Sequence, residues 1–168
     1  MLRGIILLAA MLSGGTPGDA VTDTWSAVQD GSPREFLASL TDETCEAVIG
    51  VCEEYLQVLN GMTSEELGRV FASLRLEAAP NEVRHWDPMA VLEMVMSSPE
   101  NHSIISRTSL RIDSVIPRDD AAIVHLTLGL PDGDSVSFPL YAAESPLGWR
   151  TGGVEPLVDR ALESALGN

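Results

Sequence analysis

Residues 121–142 read AAIVHLTLGLPDGDSVSFPLYA, and this stretch decides the fold class. Ala122, Val124, Leu126 and Leu128 alternate with Ile123, His125 and Thr127; Val136, Phe138, Leu140 and Ala142 alternate with Ser137 and Tyr141. A period of two means that one strand face is buried and the other meets water. Pro131-Asp-Gly-Asp134 between the runs is turn chemistry, which predicts an antiparallel pair. Upstream, Leu110, Ile112 and Ile116 alternate with Arg111, Asp113 and Val115, and Pro117 to Asp120 makes the next turn. Gly148 to Val154 adds a fourth short strand. Even-numbered positions are the apolar set, so that face is predicted to point inward, with Thr108 and Ser114 as its polar groups near mid-strand. Arg107, Arg111, Asp113, His125, Thr127, Ser137 and Tyr141 are predicted on the other face. Pro139 lacks a backbone N–H and belongs at an edge or a bulge.

Before the strands the period is helical. A short helix around Trp25 and Val28 ends at Gly31, and Ser32-Pro33-Arg34-Glu35 has the start signals of a second. Thr41 or Asp42 caps a longer helix whose stripe is Cys45, Val48, Ile49, Cys52, Leu56 and Leu59, ending at Gly61. Thr63-Ser-Glu-Glu66 is a capping box ahead of Leu67, Val70, Phe71 and Leu74. A short strand is predicted at Leu74 to Ala78. Asp87-Pro88 opens a helix whose core, MAVLEMVM (Met89 to Met96), is apolar nearly all round and should be buried. A last helix carries Leu157, Val158, Ala161, Leu162, Ala165 and Leu166 on one face. Helices set apart from antiparallel strands mean an α+β fold: helices on one face of a curved, cone-like sheet, with an extra C-terminal helix.

The chain has 168 residues and a formal charge of -15. Its ten bases are all Arg; the absence of Lys has no structural account. The charge argues against nucleic acid and anionic membranes as partners. Residues 1–20 read as a secretory signal: Arg3, the apolar run Gly4 to Leu12, then small residues with Gly18 and Ala20 before the cleavage point. The run is too short to span a bilayer, and no second long apolar run follows. Residues 21–168 are therefore expected to be one domain, extracytoplasmic (periplasmic or secreted), with no membrane span in the mature chain.

Chemistry-bearing motifs are sparse. A Cys45–Cys52 disulfide would suit an oxidising compartment. Seven residues along a continuous helix hold the Cα atoms about 10 Å apart, and a disulfide tolerates less than about 7 Å. Free thiols are expected unless the helix breaks at Gly50. His85, His102 and His125 fall in no metal-ligand motif. Asp119-Asp120 and Asp132-Gly-Asp134 lack the spacing of a calcium loop. No nucleophile elbow, phosphate loop or nucleotide fingerprint is present, so no metal or cofactor is expected. His85 and Trp86, on a loop before the buried helix, are candidates for a pocket mouth, although Trp86 also suits a staple at that helix start.

Several segments together suggest a family. They are Trp25, Asp30-Gly-Ser-Pro-Arg-Glu-Phe-Leu37, Trp86-Asp-Pro88, Asp119-Asp-Ala-Ala-Ile-Val124, Asp132-Gly133, Phe138-Pro-Leu140 and Gly148-Trp-Arg150. Their order resembles the nuclear-transport-factor-2-like superfamily, a cone-shaped α+β fold, and within it the secreted bacterial members of unknown function. The resemblance covers most of residues 21–154; the final helix departs from the usual plan, where the chain tends to end on a strand. It implies an activity ranging from isomerase, dehydratase or cyclase to non-catalytic binding or assembly. The superfamily's steroid isomerases use a carboxylate inside the cone. No inward strand position here supplies one, so no catalytic residue carries over.

Two functional expectations follow. The first is a non-enzymatic secreted domain that binds a small apolar ligand in the cone or pairs through the sheet's outer face, as a homodimer or with an envelope protein. Arg107, Arg111, Ile123, His125 and Tyr141 are the candidate interface, with Val115 beside them. The alternative is a small cone enzyme, an isomerase, lyase or hydrolase acting on an apolar metabolite. Its acid would be Glu93, which alone interrupts the MAVLEMVM helix.

Overall fold

A computed structural model describes residues 15–167. Met1 to Gly14, which hold most of the predicted signal, lie outside the described residues. Helix α1 runs Pro17–Gln29, α2 Pro33–Ala38, α3 Asp42–Gly61 and α4 Ser64–Leu74. A 3-10 turn at Pro80–His85 leads to α5, Pro88–Ser97, and α6, Pro99–Ile105. Strands β1 Ser109–Arg118, β2 Ala121–Gly129, β3 Ser135–Ser145 and β4 Gly148–Gly152 follow, then α7 at Glu155–Leu166. The strands form one antiparallel meander in the order β1-β2-β3-β4, so the expected α+β architecture holds.

The helix boundaries follow their caps. Thr16 and Asp19 form a full capping box at the start of α1, with Pro17 in the first turn. Residues 17–20, expected as the turn-rich end of a signal, are therefore the first helical turn, and Ala20 and Val21 are buried. A chain beginning at Val21 loses this cap and is expected to be less stable than one beginning at Thr16 by about 1 kcal/mol or more. Urea denaturation of the two versions measures the difference.

Gly31, at φ +61, takes the left-handed turn between α1 and α2. Ser32 stands at the start of α2, but its side chain makes no cap hydrogen bond. Thr41 caps α3, Thr63 and Glu66 make the reciprocal box of α4, and Asp87 caps α5 at 2.8 Å from the Ala90 amide. No strand forms at Leu74 to Ala78. Arg75 turns left-handed at φ 56, and the Leu76 amide donates to the Phe71 carbonyl at 2.8 Å, so the chain closes α4 instead of extending. Helix α6 was also not foreseen; Ser98, fully buried, ends α5 and caps it.

Cys45 and Cys52 are free thiols on the unbroken helix α3. Burial pushes the Cys52 thiol up to about 11; burial, then Asp42 and Glu46, raises Cys45. Alkylation after unfolding without reductant should add two groups per chain, and in the native state Cys52 should react far more slowly. A chain that takes up no alkyl group would instead carry the disulfide.

The inner sheet face is Ala122, Val124, Leu126, Leu140 and Ala142, all buried against the helices. Burying a side chain such as Val124 or Leu126 stabilises by roughly 1.5–3 kcal/mol. The even-position rule fails once. The β1–β2 register slips between Ile112 and Ser114, so Asp113 is a bulge residue. Beyond it Val115 pairs with the inward Val124, while Ser114 and Ile116 pair with the outward His125 and Ile123. Val115 thus leaves the outer face and Ser114 joins it. Pro139 fits its expected place, because β4 pairs with β3 only from Tyr141 onward and leaves β3 an edge at residue 139.

The far edge of β4 is stitched to the N-terminal third. Leu40 makes a parallel bridge to Thr151, with backbone hydrogen bonds of 2.9 Å and 3.0 Å between Thr41, Thr151 and Ser39. Arg150 donates to the Ala38 carbonyl at the end of α2. The C-terminal helix α7 is integral to the core: Leu162 is fully buried, with Val158 and Ala165 beside it.

Candidate functional site

Between the inner sheet face and helices α1, α2, α5 and α7 lies a cavity of about 220 Å³. Its floor is Leu110, Leu126, Leu128, Phe138 and Leu140. Val21, Trp25 and Val28 of α1 form one wall, Leu92, Val95 and Met96 of α5 another, and Leu157, Val158 and Ala161 of α7 a third; Phe36, Ile105 and Val154 complete it. Apart from the Trp25 indole, the lining's one polar side chain among the described residues is Thr24. The Thr24 hydroxyl hydrogen-bonds the Ala20 carbonyl at 3.0 Å and the Thr151 and Ser39 hydroxyls at 2.8 Å each. Its bonding capacity is spent on the protein, so the cavity offers an occupant no free hydroxyl.

The mouth lies on the side where the lining residues are most exposed. Val21, Leu92 and Leu126 are buried, whereas Trp25, Leu128 and Phe138 are half-buried and Leu157 is 40% exposed. Val136 pairs with Leu128 on the same face and is 50% exposed. The apolar floor therefore continues out of the cavity as a ledge along the β2–β3 hairpin.

The expected pocket-mouth residues lie elsewhere. His85 is exposed at the end of the 3-10 turn, and Trp86 stacks on Phe71 with ring centroids 5.6 Å apart. Neither lines the cavity; Trp86 packs instead on Phe71 of α4. Glu93 is exposed on α5, pointing away from the cavity that the enzyme reading needs it to enter. Among the described residues, no ionisable side chain lines the cavity, and no three His, Cys, Asp or Glu side chains gather into a metal-binding group.

The outer sheet face is brought together only in part. Arg107 is not on it: Arg107 lies in the turn after α6 and its Nε donates to the Ser103 carbonyl at 2.7 Å. Arg111 is on the face and exposed, but its Nε is held by Asp113 Oδ1 at 2.7 Å. Thr127 donates to the other Asp113 oxygen at 2.6 Å and shares a 2.6 Å hydrogen bond with Ser137. This ladder crosses three strands. The bonds from Thr127 and then Arg111, with the charges of Arg111 and His125, hold the Asp113 carboxyl below the usual carboxylate range. Ile123 and His125 are half-buried mid-face. Tyr141 shares their side but lies across Gly152 and Gly153, and its hydroxyl meets Thr44 of α3 at 3.1 Å. Tyr141 is thus an internal brace rather than a free contact.

The residues that sequence reasoning missed are Trp25, Phe138 and Leu157 as the rim. Val21, Thr24, Trp25 and Val28 do recur at helical spacing. A stripe of that kind signals a buried face, not a hollow beneath it. No protein-family model matches the chain. No curated protein and no solved structure matches it either.

Proposed function

We propose that this chain is a non-enzymatic, extracytoplasmic binding module of nuclear-transport-factor-2-like type that holds a small apolar ligand between its sheet and helices. The observation that carries this reading is the cavity itself: about 220 Å³, walled by aliphatic and aromatic side chains, with its one hydroxyl already engaged. For scale, an engineered apolar cavity of about 150 Å³ in another protein stays dry and takes up benzene. Pairing through the outer sheet face has less support, since Arg107 lies off that face, Arg111 is tied to Asp113, and Tyr141 is tied to Thr44.

Benzene at saturation in water should raise the melting temperature and perturb the fluorescence of Trp25, by the mass-action coupling of binding to folding. Ala161→Phe, which places a ring in the cavity, should abolish both responses while the variant stays folded. An identical benzene response in wild type and Ala161→Phe, or no response to benzene or hexane in the wild type, overturns the reading.

A further inference from the structure

Resting on that reading, we infer that the natural ligand is a single-chain amphiphile with an uncharged or cationic head, its tail in the cavity and its head held outside on the hairpin ledge. Three observations combine. The cavity has room for about nine carbons, scaling from benzene in about 150 Å³, and its free surface is hydrocarbon. Apart from the Trp25 indole at the rim, the lining offers no free polar side chain, and an unpaired buried polar group costs several kcal/mol on the apolar-transfer scale, so the polar end of the ligand must remain in water.

The exit is apolar for a further stretch. Leu128 and Phe138 are half-buried and Val136 is half-exposed, all on the inner side of one hairpin, with Trp25 and Leu157 opposite. A chain longer than the cavity would lie along this ledge before its head met solvent. A compact ring system would leave the ledge uncovered.

Charge selects the head. The elements around the mouth are α1, α6 with β1, the β2–β3 hairpin and α7. Residues 17–29, 99–145 and 155–166 hold twelve carboxylates against four guanidiniums, Arg107, Arg111, Arg118 and Arg160, of which Arg111 is already paired with Asp113. Asp132 and Asp134 stand at the hairpin tip, just beyond Val136. Together with a net charge of -15, this field repels an anionic head and tolerates a neutral or positive one, within a Debye length of about 10 Å at 0.1 M salt. Fatty carboxylates and phosphorylated lipids are therefore the wrong chemistry, and fatty alcohols, neutral glycerides or alkylamines the right one.

The test uses three probes of one chain length, 1-decanol, decanoate and decylammonium, titrated at pH 7.5 with thermal shift and tryptophan fluorescence as readouts. At about 10 mM ionic strength, decanoate should bind at least tenfold more weakly than decanol, and decylammonium at least as tightly as decanol. In 1 M salt the decanol–decanoate gap should close to within about threefold, because exposed charges are then screened. Val136→Asp should weaken decanol binding without altering the benzene response, since the ledge lies outside the cavity. Decanoate binding as tightly as decanol at low salt overturns the head-group inference while leaving the cavity reading intact. An undiminished decanol affinity in Val136→Asp removes the ledge. Failure of all three probes and of benzene removes the cavity reading as well.

Discussion

Replacing Gly152 by alanine should cost at least about 3 kcal/mol of folding stability, at the upper end of what overpacking usually costs. A Cβ at this position overlaps the Tyr141 ring, and the ring has no easy retreat. Its hydroxyl is tied to Thr44 at 3.1 Å, which fixes the end of the ring that the new Cβ would strike. Tyr141→Ala alone should cost about 2–3 kcal/mol, at or just below the lower end for buried aromatics because the ring is half-buried. The decisive measurement is the double variant. With the ring gone, the alanine at 152 has room, so the two costs should fall short of additivity by about 1 kcal/mol or more, within the range that contacting residues show. Additive costs in urea denaturation would mean that the ring does not lie over Gly152.

Truncating Leu162 to alanine should cost about 2–5 kcal/mol, the range for a leucine whose removal leaves a cavity. Leu162 is fully buried on α7, on the same face as Val158 and Ala165, so its truncation leaves a new void in the packed core. Against a total stability of roughly 5–15 kcal/mol for an ordinary domain, this one change removes a large share. Leu157→Ala on the same helix is the control. Leu157 is 40% exposed, so its truncation should cost less than about 1 kcal/mol, as surface changes usually do, while widening the mouth. Similar costs for the two would mean that α7 does not dock as described.

The pattern of the β2–β3 stretch was enough to find the sheet, its meander and its buried face, because alternation is a local property that burial on one side imposes directly. The caps were as legible: Thr41, Thr63 and Asp87 each announce a helix with a side chain that satisfies a free amide. What escaped were features set by distant partners. The bulge at Asp113 reflects the bonds Asp113 makes to Thr127 on the next strand, and without it Val115 would face outward as the alternation implies. Arg75 in a left-handed turn, with the Leu76 amide bonded back to the Phe71 carbonyl, stands where the residue types of 74–78 suggested a strand. Tyr141 was legible as an exposed-face aromatic but not as a brace, since its partners Gly152 and Thr44 come from two other elements. The cavity was the least legible of all. A stripe such as Val21, Trp25 and Val28 reads the same whether the space it faces is filled or hollow.

The stitching of β4 to the beginning of the chain has a consequence for the order of folding. Thr24 bonds Thr151 across 127 residues, the Gly153 amide donates to Thr44, and Leu40 finds its bridge partner only in the last strand. Helices α1 and α2 lack these closing contacts until residue 153 has been made. Contacts this far apart in sequence must pay loop-closure entropy before they return any energy. The order of synthesis and the order of closure therefore differ: α1 and α2 are made well before the strand that locks them to the sheet.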